Sequence, residues 1–393
     1  MPRLCFPGFE GKWEFICLGK KCTCFSGGTP DSTNKEFYGG TIPFIRSAEI
    51  DEADTQLFLT DEGLEQSSAK EVQVGDLLLA MYGANSGEVA ISKINGAINQ
   101  AILCIRSNSL DTHFLKYFLE RDKERIINRY LQGGQGNLSA EIIKELRFPF
   151  PALIAQHTIS HFLELVENRI AAQRRLVELL KKHKRGLSNA LFSGKVRMAR
   201  NAKWKTYRLG DIARRVTRKN GKASDVPLTI SAQYGLIDQR GFFSKAVASA
   251  DMSGYYLLKQ GEFAYNRSSS GEYPFGSIKR LERYNQGAVS TLYICFEVLG
   301  DKDDAEFLKW YFDSFAWHRE VGMICAEGAR NHGLLNVPTD GFFDTKHKLP
   351  TDKVERKKIV ALMALADAWC EHAETELNRL TTLKSGFLQQ LFV

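Results

Sequence analysis

Four of the chain's eight cysteines, Cys5, Cys17, Cys22 and Cys24, fall within the first 24 residues. Thiolates hold zinc when they come as close pairs at fixed spacing, and Cys17-x4-Cys22-x-Cys24 is not such a pattern. An aligned stretch later in the chain carries Arg208, Ala213 and Arg215 at the equivalent positions, which also argues against a metal. Cys22 and Cys24 alternate as neighbours on one strand face do, so buried reduced thiols are expected. The histidines do not cluster either. No P-loop pattern occurs, and Gly134-Gln135-Gly136 lacks the third glycine and the strand-then-helix setting of a dinucleotide loop. The Asn/Asp-Pro-Pro-aromatic tetrapeptide of amino-methyltransferases is missing. Asp344-Thr345-Lys346 has only the tail of a nuclease-like pattern. No catalytic centre and no metal are expected.

At 393 residues the chain is long enough for two globular domains. No apolar run approaches the roughly 18 residues of a membrane span. The first residues alternate apolar, glycine and charge without a signal-peptide core. These features predict a soluble, cytoplasmic protein with no membrane partner. A net charge of +7 leans towards a polyanion. Its distribution says more. Basic clusters stand at Lys181-Lys182-His183-Lys184-Arg185, at Arg197 to Lys205, and at Arg214-Arg215 with Arg218-Lys219.

Two helical stripes organise the rest. The first runs Ile159, Leu163, Val166, Ile170, Gln173, Val177, Leu180, Lys184, Leu187, Leu191; the second runs Ile359, Met363, Ala366, Cys370, Ala373, Leu377, Leu380, Lys384, Phe387, Leu391. Both step by alternating fours and threes, the a/d spacing of a coiled-coil seam. Both place a lysine in the seam at the same point, and both close on Leu-Phe. The repeat reaches further. Trp13 and Leu18-Gly19 correspond to Trp204 and Leu209-Gly210, Gly75-Asp76 to Gly261-Glu262, Gly96 through Ile105 to Gly287 through Phe296, and Phe114-Leu115-Lys116 to Phe307-Leu308-Lys309. The offset drifts from 191 to 200 with a local dip to 186, as small loop insertions would produce.

The predicted fold is therefore α+β with an internal pseudo-two-fold repeat. Each half has a twisted β-sheet domain with short helices, and two long helices pair antiparallel as a coiled coil. The predicted boundaries are 1–151 for the first domain, 152–194 for the central helix, 195–350 for the second domain and 351–393 for the C-terminal helix. Strands are expected at Val72 to Tyr82, through the continuous run Gly96 to Ile105, and at Gly261 to Tyr265. Helices are expected around His113 to Tyr130 and Ala305 to Glu320. Antiparallel pairing would set the basic end of the first long helix near Lys353 and Arg356 to Lys358, charges that this reading turns towards a partner.

Local motifs add a family. Ser26-Gly27-Gly28-Thr29-Pro30 with Tyr38-Gly39-Gly40-Thr41-Ile42-Pro43-Phe44-Ile45-Arg46-Ser47 resembles the opening of a target recognition domain in specificity subunits of type I restriction–modification systems. Gly83-Ala84-Asn85-Ser86-Gly87, Asn99-Gln100-Ala101 and Gln156-His157-Thr158-Ile159 fit the same family, as do the Leu191-Phe192-Ser193-Gly194-Lys195 and Leu383 to Phe392 tails and Trp204-Lys205 with Leu209-Gly210-Asp211-Ile212. The second half departs in lacking the Gly-Gly-Thr-Pro loop, with Val216 to Lys222 in its place. The resemblance implies a non-catalytic DNA-specificity subunit. Two target recognition domains would read the halves of an asymmetric bipartite site on double-stranded DNA. The helices would set the spacing and dock two methyltransferase subunits, and a motor-nuclease subunit would join for cleavage. No cofactor is expected on this chain; S-adenosylmethionine, ATP and Mg would sit on the partners.

Base edges are read by Arg, Lys, Asn, Gln, Ser and Thr at loops and helix ends, and phosphates by Lys and Arg. The candidate DNA contacts in the first domain are Thr29, Arg46, Tyr82, Asn85, Ser86, Lys93, Gln132, Gln135 and Asn137. In the second they are Arg218, Lys219, Tyr234, Asn266, Arg267, Ser268, Arg330 and Asn331. Arg267 is expected to meet a base or phosphate, because the stretch Tyr265 to Ser270 follows a strand and aligns with Tyr82 to Ser86. Two rival classes remain at this level, a fused enzyme with unrecognised motifs and a coiled-coil scaffold without a nucleic-acid role.

Overall fold

The computed structural model describes residues 2–7, 11–131, 138–199, 203–231, 234–242, 251–269, 273–325, 333 and 335–392. They fall into two compact units. Unit 1 is Met1–Arg175 with Glu374–Val393, and unit 2 is Leu176–Ala373.

In unit 1 the chain runs β1 (Glu14–Cys17), α1 (Leu18–Lys21), β2 (Thr23–Ser26), β3 (Tyr38–Ile45), β4 (Phe58–Leu59), α2 (Asp61–Glu65), β5 (Lys70–Val72), β6 (Leu77–Ala80), β7 (Val89–Ile91), β8 (Gly96–Ile98), β9 (Ile102–Arg106), α3 (Thr112–Leu131), α4 (Ala140–Glu145), β10 (Arg147–Phe150) and the start of α5 (Leu153–Phe192). One sheet has the order β2-β9-β6-β7 and the other β4-β3-β8-β5; β1 pairs antiparallel with β10. The apolar run of β6 shows why the two sheets stack. Leu77 and Leu79 enter the core beneath α3, while Leu78 and Ala80 enter the core shared with Ile45 and Ile98. A strand covered on both faces must be apolar at both parities. Leu79→Ala in such a site costs about 2–5 kcal/mol. The run expected as one strand from Gly96 to Ile105 is two strands in different sheets. It breaks at Asn99, whose Oδ1 accepts the Ala101 amide at 3.0 Å and forms a turn.

Unit 2 repeats the plan with β11 (Trp204–Arg208), α6 (Leu209–Ile212), β12 (Ala213–Val216), β13 (Leu228–Ser231), β14 (Gly235–Asp238), α7 (Gln239–Phe242), β15 (Tyr256–Lys259), β16 (Phe263–Asn266), β17 (Ser277–Arg280), β18 (Gln286–Val289), β19 (Ile294–Val298), α8 (Lys302–Asp313), α9 (His318–Ile324), α10 (Thr339–Asp344), β20 (Lys346–Pro350) and α11 (Lys353–Leu391). Its sheet β12-β19-β16-β17 has the order of β2-β9-β6-β7, and β11 pairs with β20 as β1 does with β10. Parity is used alike: Phe263 and Tyr265 face the helical core and Ala264 the other. The helix expected over Ala305 to Glu320 is two helices. Ser314 closes α8 by donating its hydroxyl to Tyr311 O at 2.5 Å. Trp317 then turns into the core and donates Nε1 to Phe312 O at 2.9 Å, which redirects the chain into α9.

The long helices α5 and α11 contain 40 and 39 residues. Every seam position named above is buried or half-buried. In unit 1, Phe162 meets Phe387 and Glu167 meets Lys384, so the helices run antiparallel. In unit 2, Leu191 shares a core with Ile359 and Met363 while Lys184 pairs with Asp367, the same sense. The terminal Leu-Phe pairs plug the two cores. Phe392 packs against Phe114 and Phe118 in unit 1, and Phe192 against Phe307 and Tyr311 in unit 2. The basic start of α11, read in sequence as turned towards a partner, meets acids of its own unit. Lys353, Arg356 and Lys357 pair with Asp301, Asp304 and Asp303 at the acidic first turn of α8. That turn carries the capping box Asp301/Asp304, so the same carboxylates cap one helix and neutralise the next. No described helix is long and apolar enough to cross a membrane.

Candidate nucleic-acid interface

In unit 1 the cluster forms where β6 ends. The Met81 amide donates to Ala101 O at 2.8 Å, and Met81 O accepts both the Leu138 amide at 3.1 Å and the Ser86 hydroxyl at 3.0 Å. Thr29 donates its hydroxyl to Gln100 Oε1 at 2.5 Å. The loops after β2, β6 and β8 and the stretch before α4 therefore meet at one edge of the domain. Glycine is required there. A Cβ on Gly27 would lie 1.7 Å from Ile98 O, and one on Gly28 would lie 1.8 Å from Ser68 Oγ. Of the predicted contacts, Thr29, Tyr82, Asn85 and Ser86 are brought together; Tyr82, Asn85 and Ser86 are half-buried.

Arg46 and Lys93 belong to a different cluster. Arg46 grips Glu49 through Nε at 3.1 Å and a terminal nitrogen at 2.5 Å, and reaches Gln56 at 2.9 Å. The Arg46 side chain holds the Glu49 carboxyl down at about 2, against the opposing effect of its burial. Lys93 pairs with Asp51 at 3.0 Å.

Unit 2 builds the matching edge on the end of β16. The Leu335 amide donates to Arg267 O at 2.9 Å, the counterpart of Leu138 to Met81. The Ser269 amide and hydroxyl donate to Gly333 O at 2.6 and 3.1 Å. Asn266 Oδ1 accepts the Ser268 amide at 3.0 Å, and Ser268 is exposed. Arg267 does not present a free guanidinium. It donates through Nε and one terminal nitrogen to Leu292 O at 3.1 and 2.9 Å, and through the other to Val337 O at 3.2 Å. The unit 1 equivalent of this tie is a backbone bond, Met81 to Ala101. The arginine thus holds three loops together, a role that its position after a strand did not disclose.

Arg218 and Lys219 lie elsewhere in unit 2. Arg218 forms a bidentate pair with the buried Glu262 at 3.0 and 3.2 Å and donates to Leu257 O. Lys219 donates to Gly254 O and sits 4.7 Å over the Tyr256 ring. Tyr234 is 49% exposed at the β13–β14 turn, open to a planar partner. Gln132, Gln135, Asn137, Arg330 and Asn331 lie outside the described residues. Their described followers, Leu138 and Gly333 with Leu335, are held at the two edges. Sequence reasoning left Gln100 off the site and placed Ser269 in the right stretch without singling it out. The repeat was the available signal, because both sit in the loops that flank its paired strands.

Among the described residues no cluster of His, Cys, Asp and Glu could hold a metal. Cys24 and Cys104 are pushed up to about 11 and about 12, chiefly by burial, so neither is a reactive thiolate.

A duplicated α+β chain, each copy a sheet domain seated on a helix pair, is the fold of the specificity subunits of type I restriction–modification systems. The S subunit structure from M. genitalium superposes with a TM-score of 0.58 at 16% identity, over 100% of this chain and 99% of that one. The HsdS subunit from Thermoanaerobacter tengcongensis gives 0.50 at 15% identity, over 98% and 97%. The family described as type I restriction modification DNA specificity domain matches residues 10–182 of this chain. Two Methanocaldococcus jannaschii proteins are similar at the sequence level. The one named for the type I restriction enzyme MjaX specificity subunit is 27% identical over 194 residues, 47% of this chain and 44% of that protein. The type I restriction enzyme MjaVIII specificity subunit is 24% identical over 186 residues, 46% and 42%. The chain spans less than half the length of these curated relatives.

Proposed function

We propose that this chain is the DNA-reading subunit of a type I restriction–modification assembly and has no catalytic centre of its own. Each unit reads one half of an asymmetric bipartite site on double-stranded DNA. The observation that carries this reading is the twice-built edge: one backbone frame, Leu138 to Met81 and Leu335 to Arg267, dressed with different polar side chains. Equal frames with unequal side chains suit two readers of unequal sequences, because base edges are distinguished by donor and acceptor pattern. The paired helices set the gap between the half-sites and dock two methyltransferase subunits, with a motor-nuclease subunit completing the assembly in the cytoplasm. S-adenosylmethionine, ATP and Mg work on those partners.

Methylation mapping of DNA from cells expressing the chain with its neighbouring methyltransferase tests this. The expected result is one bipartite motif with a fixed gap. Arg267→Met, which supplies the unit 1 residue, should blur the half-site read by unit 2 and leave the other unchanged, at a cost of about 1–3 kcal/mol in discrimination. A soluble, assembled complex that methylates no bipartite motif, and whose DNA affinity is flat with salt, would favour the scaffold reading.

A further inference from the structure

Each seam carries one lysine, and each lysine ends in a carboxylate of the opposite helix. In unit 1, Lys384 donates to Glu167 on α5 at 2.7 Å and to Glu120 on α3 at 2.5 Å. Glu167 also accepts from Lys116 at 2.6 and 2.8 Å and from the Tyr117 hydroxyl at 2.7 Å, both on α3. In unit 2, Lys184 pairs with Asp367 on α11 and lies 5.6 Å from the Trp310 ring centroid on α8. Trp310 fills the place that Tyr117 has in unit 1, and Lys309 lies 4.8 Å from its ring as Lys116 lies 4.4 Å from Tyr117. Both nodes join the same three helices: the two of the pair and the first long helix of the sheet domain.

An apolar seam tolerates sliding and rolling, because one leucine replaces another at little cost. A seam ammonium held by carboxylates resists both, most strongly at Lys384, 15% exposed, and less at Lys184, 31% exposed, because losing the carboxylate leaves a partly desolvated charge unpaired. A polar seam residue therefore selects one register. In unit 1 the carboxylate of Glu167 also grips α3, and in unit 2 it is the Lys184 ammonium that meets α8, over the Trp310 ring, so each node ties the helix pair to the domain upon it. The node in unit 1 is strongly ionic. Burial would raise the Glu167 carboxyl, yet Lys116 and Lys384 hold it at about 2. Lys384 is raised by Glu120 and Glu167 against its own burial.

We infer that Lys384 with Glu167, and Lys184 with Asp367, are positioning residues that fix how each sheet domain stands on its own stretch of helix pair, and so fix the gap between the half-sites that the assembly accepts. This rests on the DNA-reading function proposed above. The node touches no DNA itself, so its loss should change the gap and spare the half-site sequences.

The test uses the full chain with its methyltransferase and compares wild type, Lys384→Met, Lys384→Arg and Lys184→Met by methylation mapping. Lys384→Met and Lys184→Met should keep both half-sites while sites with a gap one base pair longer or shorter rise about tenfold, the effect of roughly one lost mismatch penalty. Lys384→Arg, which keeps the charge, should restore most of the single gap. A single unaltered gap in both methionine variants overturns the inference, as does loss of a half-site. Hydrogen exchange on the purified full chain gives a second readout that needs no DNA. Lys384→Met should speed exchange across Thr112–Leu131 and leave Lys302–Asp313 unchanged, with the reverse for Lys184→Met. Unchanged protection overturns the positioning role, whereas a wild type without bipartite methylation overturns the proposed function alone. If Lys384→Met does not fold, Glu167→Gln carries both readouts with the same expected signs.

Discussion

Unit 1 and unit 2 tie their reading edges by different means. Unit 1 closes Met81 to Ala101 with a backbone hydrogen bond and lets a buried methionine fill the space. Unit 2 sends the Arg267 side chain to the carbonyls of Leu292 and Val337. The nodes beneath differ in the same way. Unit 1 has Glu167, long enough to reach Lys384, Lys116 and Tyr117. Unit 2 has Asp367, one methylene shorter, and the buried Trp310 Nε1 has no partner among the described residues. A duplicated domain therefore keeps its backbone and bridges its gaps with whichever side chain reaches. The surface can diverge because the frame does not depend on one residue type.

Three perturbations bear on that comparison. The largest concerns the plugs. Phe392→Ala and Phe192→Ala each remove a ring from a packed core, at about 3–5 kcal/mol. Hydrogen exchange should show Phe392→Ala loosening unit 1 and Phe192→Ala loosening unit 2; equal loosening of both units by either would contradict two separate cores.

The next concerns acid. His347 is buried in unit 2 between Tyr311 and Thr345. The Thr345 hydroxyl donates to Phe342 O, so it accepts from His347 Nε2, and Nδ1 accepts from Tyr311; the ring is neutral. Burial pushes His347 and His318 down to about 4. A depressed histidine contributes stability above its unfolded pKa of about 6.5 and loses it as the pH falls through the folded value. In unit 1 the most strongly depressed groups are the carboxyls Glu49 and Glu167, both held at about 2. Their contribution is full above about 4.5 and is lost as the pH falls towards 2. Unit 2 should thus weaken between about pH 6.5 and 4, before unit 1 does, which exchange measured unit by unit against pH would show. Unit 1 opening first would reverse the assignment.

The smallest is a repair. Asp367→Glu extends the carboxylate towards Trp310 Nε1 and should raise stability by about 0.5–1.5 kcal/mol, the net value of one hydrogen bond. A lowered urea midpoint would mean that the short acid is needed for Lys184.

Much of this architecture was legible in the sequence. The heptads located both long helices, because a seam buried on one face must repeat with the helix period. The repeat gave the matched sheets. What stayed hidden has a common cause in side chains that act across space. Nothing local in Ala305 to Glu320 announces the break at Ser314, which comes from Trp317 seeking the core. Glycine punctuation could not show that Gly96 to Ile105 feeds two sheets. The basic start of α11 looked like a docking face because its carboxylates lie some fifty residues earlier in the chain, at Asp301 to Asp304. At the candidate site, polar composition found the right loops but not the roles. Arg46 and Arg218 were chosen for their residue type and Arg267 for its place after a strand, and the fold uses their charge to hold its own carboxylates and carbonyls.

The Leu388, Leu391 and Phe392 plug has a consequence for the order of events on the ribosome. Unit 2 is continuous, Leu176–Ala373, so every residue of its core is synthesised before Glu374 is added. Unit 1 begins first but needs Glu374–Val393 to finish. Domains usually mature in the order of their synthesis. Here the earlier-begun domain must wait for Glu374–Val393, which follow the whole of unit 2, before its core is sealed.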